Sequence, residues 1–129
     1  MSNGPGETDL TRFTQRIIGC AYTVSNELGC GFLEKVYENA LTYELRKVGL
    51  DVEQQKTIEV RYDGHIVGQY VADLLVERRI LIEVKAAKAV DEVHLAQCLN
   101  YLRATGLKIC LLMNFGRPRV EIKRVVHQL

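Results

Sequence analysis

From Phe13 to Leu28, apolar residues return at three- and four-residue spacing through Ile17, Cys20/Ala21 and Val24, the mark of a helix with one buried face. Gly29 is its expected stop. A short link, GCGF, leads to a second helical pattern from Leu33 to Val48, with Leu33, Val36/Tyr37, Ala40/Leu41, Leu45 and Val48 as its stripe and Gly49 at its end. At Glu53 the period changes to two. Ile58, Val60 and Tyr62 alternate with Thr57, Glu59 and Arg61, and Asp63-Gly64 signals a two-residue hairpin into a strand from His65 to Val76. Glu77-Arg78-Arg79 turns the chain into a third strand, Ile80 to Ala86. A helix from Val90 or Asp91 to Thr105, capped by Gly106, comes next. LKICLLMNF then reads as a buried strand, GRPR as a turn and VEIKRVV as a half-exposed last strand. The predicted order is α-α-β-β-β-α-β-β. Residues 1–10, polar and glycine-rich, predict a flexible tail ahead of one domain spanning 11–129.

Composition narrows the class. At 129 residues and 47% hydrophobic, the chain can bury a real core. A net charge of +1 gives no global support for binding nucleic acid or a membrane surface. Six basic residues against one acid (Glu121) from Arg103 onward make either a basic edge or an ordinary solvated face. Cys20, Cys30, Cys98 and Cys110 lack the spacing of a zinc or redox motif and are expected to be small core residues. No apolar run is long enough to span a bilayer, and the start of the chain has no signal-peptide pattern, so a reduced, cytoplasmic protein without membrane contact is expected.

Against this background three charged residues stand out in GQYVADLLVERRILIEVKAAK, residues 68–88. Glu83 and Lys85 are two apart and project from one face of their strand. Whether Asp73 joins them depends on the turn. A three-residue loop pairs Val76 with Ile80 and so sets Asp73 opposite Glu83, with β-carbons about 4.5–5.5 Å apart; a two-residue turn puts the carboxylates on opposite faces. Glu77-Arg78-Arg79 has no Gly or Asn to supply the positive φ angles of a two-residue turn, which favours the longer loop. Carboxylates that close repel, and a divalent cation such as Mg²⁺ (or Mn²⁺) relieves the repulsion. The plainer alternative is a cross-strand salt bridge on a half-exposed sheet.

Two helices add to the pattern. Gln97 and Tyr101 lie one turn apart on the third helix, with His94 one turn earlier; on the second, Gly31, Glu34 and Tyr37 make G-x-x-E-x-x-Y. D-x(9)-E-x-K followed by Q-x-x-x-Y resembles the PD-(D/E)XK nuclease superfamily, particularly its RecB-like branch, and G-x-x-E-x-x-Y resembles the signature of its GxxExxY family. The likeness runs from about Phe13 to Val126. It implies an α/β, restriction-endonuclease-like αβββαβ core, a mixed central sheet flanked by helices, with an extra N-terminal helix and a C-terminal strand. It implies Asp73 and Glu83 as metal ligands, Lys85 as the catalytic lysine, and Glu34 as a helix carboxylate completing or supporting the metal site. Gln97 and Tyr101 would orient the lysine, the water or the substrate phosphate. Ala72 stands where the superfamily's name has proline, a departure that many members share.

The other candidates have plainer readings beside the functional one. His94 either lines the site or is a surface histidine. Tyr37 is either core or pocket, and Gly31 fits a tight approach of loop to sheet. Glu38, one turn from Glu34, is expected to be solvated, and neither His65 nor His127 is expected to be catalytic. The function expected is a divalent-metal-dependent nuclease acting on DNA, less readily RNA, in which a homodimer would help so small a chain grip a duplex. Two alternatives are a non-catalytic nucleic-acid-binding or regulatory protein that keeps the fold, and a protein-interaction domain.

Overall fold

Turn chemistry and strand period build the sheet. A computed structural model describes residues 5–129, in the order α1 (Pro5–Leu28), α2 (Glu34–Lys47), β1 (Val52–Tyr62), β2 (His65–Val76), β3 (Ile80–Lys85), α3 (Glu92–Thr105), β4 (Ile109–Asn114) and β5 (Glu121–Val126). The αβββαβ order runs from α2 to β4, with α1 ahead and β5 behind. Asp63 and Gly64 both take positive φ, 52° and 79°, which makes the two-residue turn that pairs Tyr62 with His65. The five strands lie in the order β1-β2-β3-β4-β5, and all neighbours are antiparallel except β3 and β4. That parallel pair needs a crossover, which α3 supplies.

One core lies between the sheet and the α1–α2 layer: Ile17, Ala21 and Val24 of α1 and Tyr37, Leu41 and Leu45 of α2 pack on Ile80, Ile82, Val84, Ile109, Leu111 and Met113. The other face is covered by α3, where Cys98, Tyr101 and Leu102 meet Leu81, Cys110 and Leu112. β3 and β4, covered on both sides, are apolar almost throughout, as expected of strands with no solvent face.

Helix α1 starts earlier than its apolar pattern suggested. Pro5 opens it, a position where the missing N–H of proline costs nothing, and Leu10 is buried in the first core. The expected boundary at residue 11 therefore falls inside the helix, and residues 1–4 of the expected tail lie outside the described residues. Among the described residues no helix is long and apolar enough to cross a membrane.

Candidate active site

The centre of interest is a lapse in the sheet at Asp73. On one side Gln54↔Leu74 and Lys56↔Ala72 are paired, but Gln55, which should face Asp73, is not. On the other side, pairing of β2 with β3 ends at Leu74↔Ile82. Gln55 sits at φ 55°, a left-handed conformation that costs a non-glycine residue roughly 1–2 kcal/mol. Across the lapse the strands exchange faces. Val52, Leu74 and Val76 pack in the α1–α2 core, whereas Ile58 and Ala72, of the same parity, pack beneath α3.

Side chains replace the missing ladder bonds. The Asp73 N–H donates to Glu83 Oε2 at 3.1 Å, and the Val84 N–H donates to Asp73 Oδ2 at 2.8 Å. The two carboxylates thus cross over, each held by the other's strand. This is the juxtaposition expected from a three-residue loop, and Val76 does pair with Ile80. The reason for expecting that loop fails, however. Glu77 and Arg78 both take positive φ, 52° and 55°, despite their side chains. External bonds hold the turn: the Glu77 N–H donates to Asp51 O at 2.8 Å and the Asp51 N–H to Glu77 Oε2 at 2.6 Å.

Glu83 is only 6% exposed. Burial, aided by hydrogen bonding to and repulsion from Asp73, pushes its carboxyl up to about 9. Lys85, two residues on and half-buried, ends β3 beside Asn114 of β4. Asn114, which sequence reasoning passed over, is wholly buried and stitches the loop after Lys85: its Oδ1 accepts the N–H groups of Ala87 (2.9 Å) and Gly116 (3.0 Å), and its Nδ2 donates to Ala87 O (2.9 Å). A Cβ at Gly116 would collide with the backbone of Ala86 and Ala87, so the close approach of loop to loop is here. At Gly31, where it was expected, nothing lies within 4 Å of a built Cβ. An Asn-Phe-Gly stretch ending a buried strand is the only local signal for this arrangement.

From the α3 side, Gln97 Nε2 donates to the Tyr101 hydroxyl at 2.6 Å. Burial, then the Glu83 charge, raises Tyr101 to about 12, which keeps the phenol protonated. Its hydroxyl donates to Val71 O at 3.5 Å, and its ring leans on Tyr70 at 5.7 Å. His94 is engaged elsewhere. It forms a capping box with Asp91: the His94 N–H donates to Asp91 Oδ1 (3.2 Å) and the Asp91 N–H to His94 Nδ1 (3.5 Å).

On the α2 side, a cleft of about 560 Å³ is lined by Phe32, Leu33, Glu34, Lys35, Glu38, Gln55, Asp73 and Ala86. Glu34 is exposed on its wall. Glu38, expected in solvent, is instead only 4% exposed, because Lys35 (3.1 Å), Gln54 (2.9 Å) and Gln55 (3.1 Å) surround its carboxylate with donors. Two of those donors lie 16 and 17 residues away, beyond the reach of a helical pattern. Tyr37 and Gly31 are not among the cleft's lining residues. Tyr37 is wholly buried, stacked on Phe115 at 4.9 Å, and its hydroxyl donates to Gly29 O at 2.6 Å. Cys20, Cys98 and Cys110 are buried as expected, but Cys30 is exposed, carried on the link ahead of α2.

Asp73 and Glu83 offer hard oxygen donors, and a carboxyl driven towards neutrality first by burial and then by its neighbour is one that a divalent cation would ionise, so the pair fits such an ion. Among the described residues no three acidic, histidine or cysteine side chains form a metal-holding group, so Glu34 does not complete a third ligand in this conformation. Mg²⁺ is satisfied by one or two carboxylates with water making up its shell.

A mixed sheet with a parallel β3–α3–β4 unit, and a crossed carboxylate pair followed by a lysine on β3, define a restriction-endonuclease-like protein. A model of the PD-(D/E)XK nuclease superfamily matches residues 11–125, and the chain belongs to that superfamily. Nucleases of this kind typically use divalent metal ions. Two solved structures share the fold. The crystal structure of SSO0001 is 17% identical with a TM-score of 0.58, over 74% of this chain and 51% of that one. An alkaline exonuclease, LHK-Exo, from Laribacter hongkongensis is 14% identical with a TM-score of 0.53, over 99% of this chain and 73% of that one. The chain thus spans about half the length of the first and about three quarters of the second. No curated protein matches.

Proposed function

We propose that the protein is a divalent-metal-dependent nuclease that hydrolyses phosphodiester bonds in DNA, in the cytoplasm, and that its Gly31, Glu34 and Tyr37 mark it as one of the GxxExxY group. The observation that carries this is the crossed pair Asp73 and Glu83, set where the sheet gives up its ladder and a backbone is strained. A salt bridge on a sheet needs neither a second carboxylate nor a raised one. Asp73 and Glu83 would hold Mg²⁺ or Mn²⁺, with Glu34, exposed on the cleft wall, as a supporting carboxylate. Such an ion polarises a phosphoryl oxygen and eases deprotonation of water.

The chain's own groups do the rest. Lys85, on the same face of β3 as Glu83, places a positive charge where a phosphate gains negative charge on its way to the transition state. Asn114 and Gly116 fix the strand end and so hold Lys85 as a positioning pair. Gln97, its amide fixed by the Tyr101 hydroxyl, is left with its carbonyl oxygen to orient Lys85, a water or the phosphate. The test is incubation of labelled DNA with Mg²⁺ or Mn²⁺, using the wild type and Lys85→Ala. The expected outcome is cleavage that needs the metal and falls by on the order of a hundredfold in the variant; equal cleavage by both proteins would refute the assignment.

A further inference from the structure

The basic residues from Arg103 onward do not stay together in the fold. Lys108 precedes β4 at one end of the sheet, whereas Arg117 and Arg119 follow it at the other. Because β3 and β4 are parallel, the loop after β3, residues 86–91, leaves the sheet at the same end as the loop after β4, residues 115–120. The first loop starts from Lys85 and carries Lys88. Lys88, Arg117 and Arg119 are all exposed. The carboxyl ends of parallel strands are where open α/β sheets take their ligands. Hydrogen bonds fasten the two loops to each other: the Phe115 N–H donates to Lys85 O at 2.8 Å, Asn114 holds both polar groups of the Ala87 backbone, and Arg117 Nη1 donates to Lys88 O at 3.2 Å. The Val120 N–H donates to the buried Ser25 Oγ at 3.0 Å, which ties the second loop to α1. Three cations thus stand on a braced ridge that begins at Lys85.

Among the described residues no carboxylate pairs with these three cations, whereas Lys35, Lys47, Lys56, Arg61 and Arg79 are each paired at 3.0–3.8 Å. The acids that flank the loops are otherwise placed: Asp91 caps α3, accepting the His94 N–H at 3.2 Å, and Glu121 is half-buried opposite Asn114. On the α2 side of the site the balance is reversed. That cleft holds Glu34 and Glu38, and its Lys35 is tied to Glu38 at 3.1 Å. Any nucleic acid strand, paired or unpaired, is therefore repelled along α2 and attracted along the loops after β3 and β4. Lys88 is three residues from Lys85, a reach of at most about 11 Å. Phosphates follow one another every ~3.4 Å along each strand of a duplex, so the ridge begins within about three phosphates of the one being cut. Resting on the nuclease reading above, we propose that Lys88, Arg117 and Arg119 form a phosphate-binding ridge that grips the DNA backbone on one side of the scissile bond only.

The test pairs two double variants of equal charge. Lys88→Gln/Arg119→Gln strips the ridge but keeps Arg117, whose bond to Lys88 O helps to fasten the loops. Arg78→Gln/Lys108→Gln removes the same charge from exposed positions at the opposite end of the sheet. Both are expected to melt with the wild type. Binding of a labelled oligonucleotide, single-stranded and as a duplex, is followed by fluorescence anisotropy in EDTA from about 50 to about 200 mM salt. The ridge variant is expected to bind about tenfold or more weakly at the lower salt. Its slope of log K against log salt should be shallower than that of the wild type by roughly 1.4–1.8, whereas the control keeps the wild-type slope. With Mn²⁺ the ridge variant should raise KM and keep kcat. Equal slopes for the two variants, or wild-type binding that ignores salt, overturn the ridge; cleavage that still needs the metal and Lys85 then leaves the nuclease reading standing. A salt slope that depends on the ridge, with no cleavage by the wild type, keeps the ridge as a binding surface and overturns the nuclease reading alone.

Discussion

Replacing Glu83 by Gln keeps the shape of a buried side chain and removes its charge. In the wild type the carboxyl is pushed up to about 9 by burial and by Asp73, whereas in the unfolded chain it ionises near its ordinary value of 4.5. Between those values the folded protein carries a proton that the unfolded one has lost. Folding stability therefore falls as pH rises through this window, by about 1.4 kcal/mol per unit, and is fully present only below the unfolded value. At pH 7.5 the penalty is about 4 kcal/mol. The neutral amide of the Glu83→Gln variant escapes it, and its carbonyl can still accept the Asp73 N–H that Glu83 accepts at 3.1 Å. Urea unfolding in EDTA should accordingly give Glu83→Gln a midpoint higher than the wild type by on the order of 2 M at pH 7.5, with the two converging at pH 4.5. Adding Mg²⁺ at pH 7.5 should raise the wild-type midpoint and leave the variant unmoved. Parallel pH profiles for the two proteins, or a variant less stable than the wild type at pH 7.5 in EDTA, would refute the reasoning.

Other expectations follow from single contacts. Gln55→Gly should be more stable than Gln55→Ala by about 1 kcal/mol in chemical denaturation, since both lose the amide and only glycine is at ease at φ 55°. Tyr37→Phe keeps the stack on Phe115 but loses the bond to Gly29 O, and thermal melting should report a loss of about 1–2 kcal/mol. Asn114→Ala strips three hydrogen bonds from a buried junction. It should cost about 2–4 kcal/mol and, measured at a temperature where it is folded, lower kcat by displacing Lys85.

Local physics made much of the fold legible. The strand His65–Val76 was readable because alternation and Asp63-Gly64 act within a few residues, whereas the pairing of Val76 with Ile80 came out as expected although Glu77 and Arg78 take the positive φ angles that Gly or Asn ordinarily supply. The same register put Asp73 opposite Glu83. Features set by distant partners were hidden. Glu38 looked like an exposed helix residue, because nothing near it in sequence announces the glutamines at 54 and 55. The flip at Gln55 breaks a period that the sequence carries straight through, and glutamine is not a residue that signals a left-handed turn. Asn114 was hidden inside an apolar run. The helical start at Pro5 was masked by a composition that also suits a loose end.

The interlocked bonds from Asp73 N–H to Glu83 and from Val84 N–H to Asp73 give the protein a built-in sensor. Any event that draws electrons or protons to either carboxylate must pull on an amide of the opposite strand. In a nitrogen–proton NMR spectrum, the signals of Asp73 and Val84 should therefore move first when an ion arrives, ahead of resonances elsewhere in the sheet.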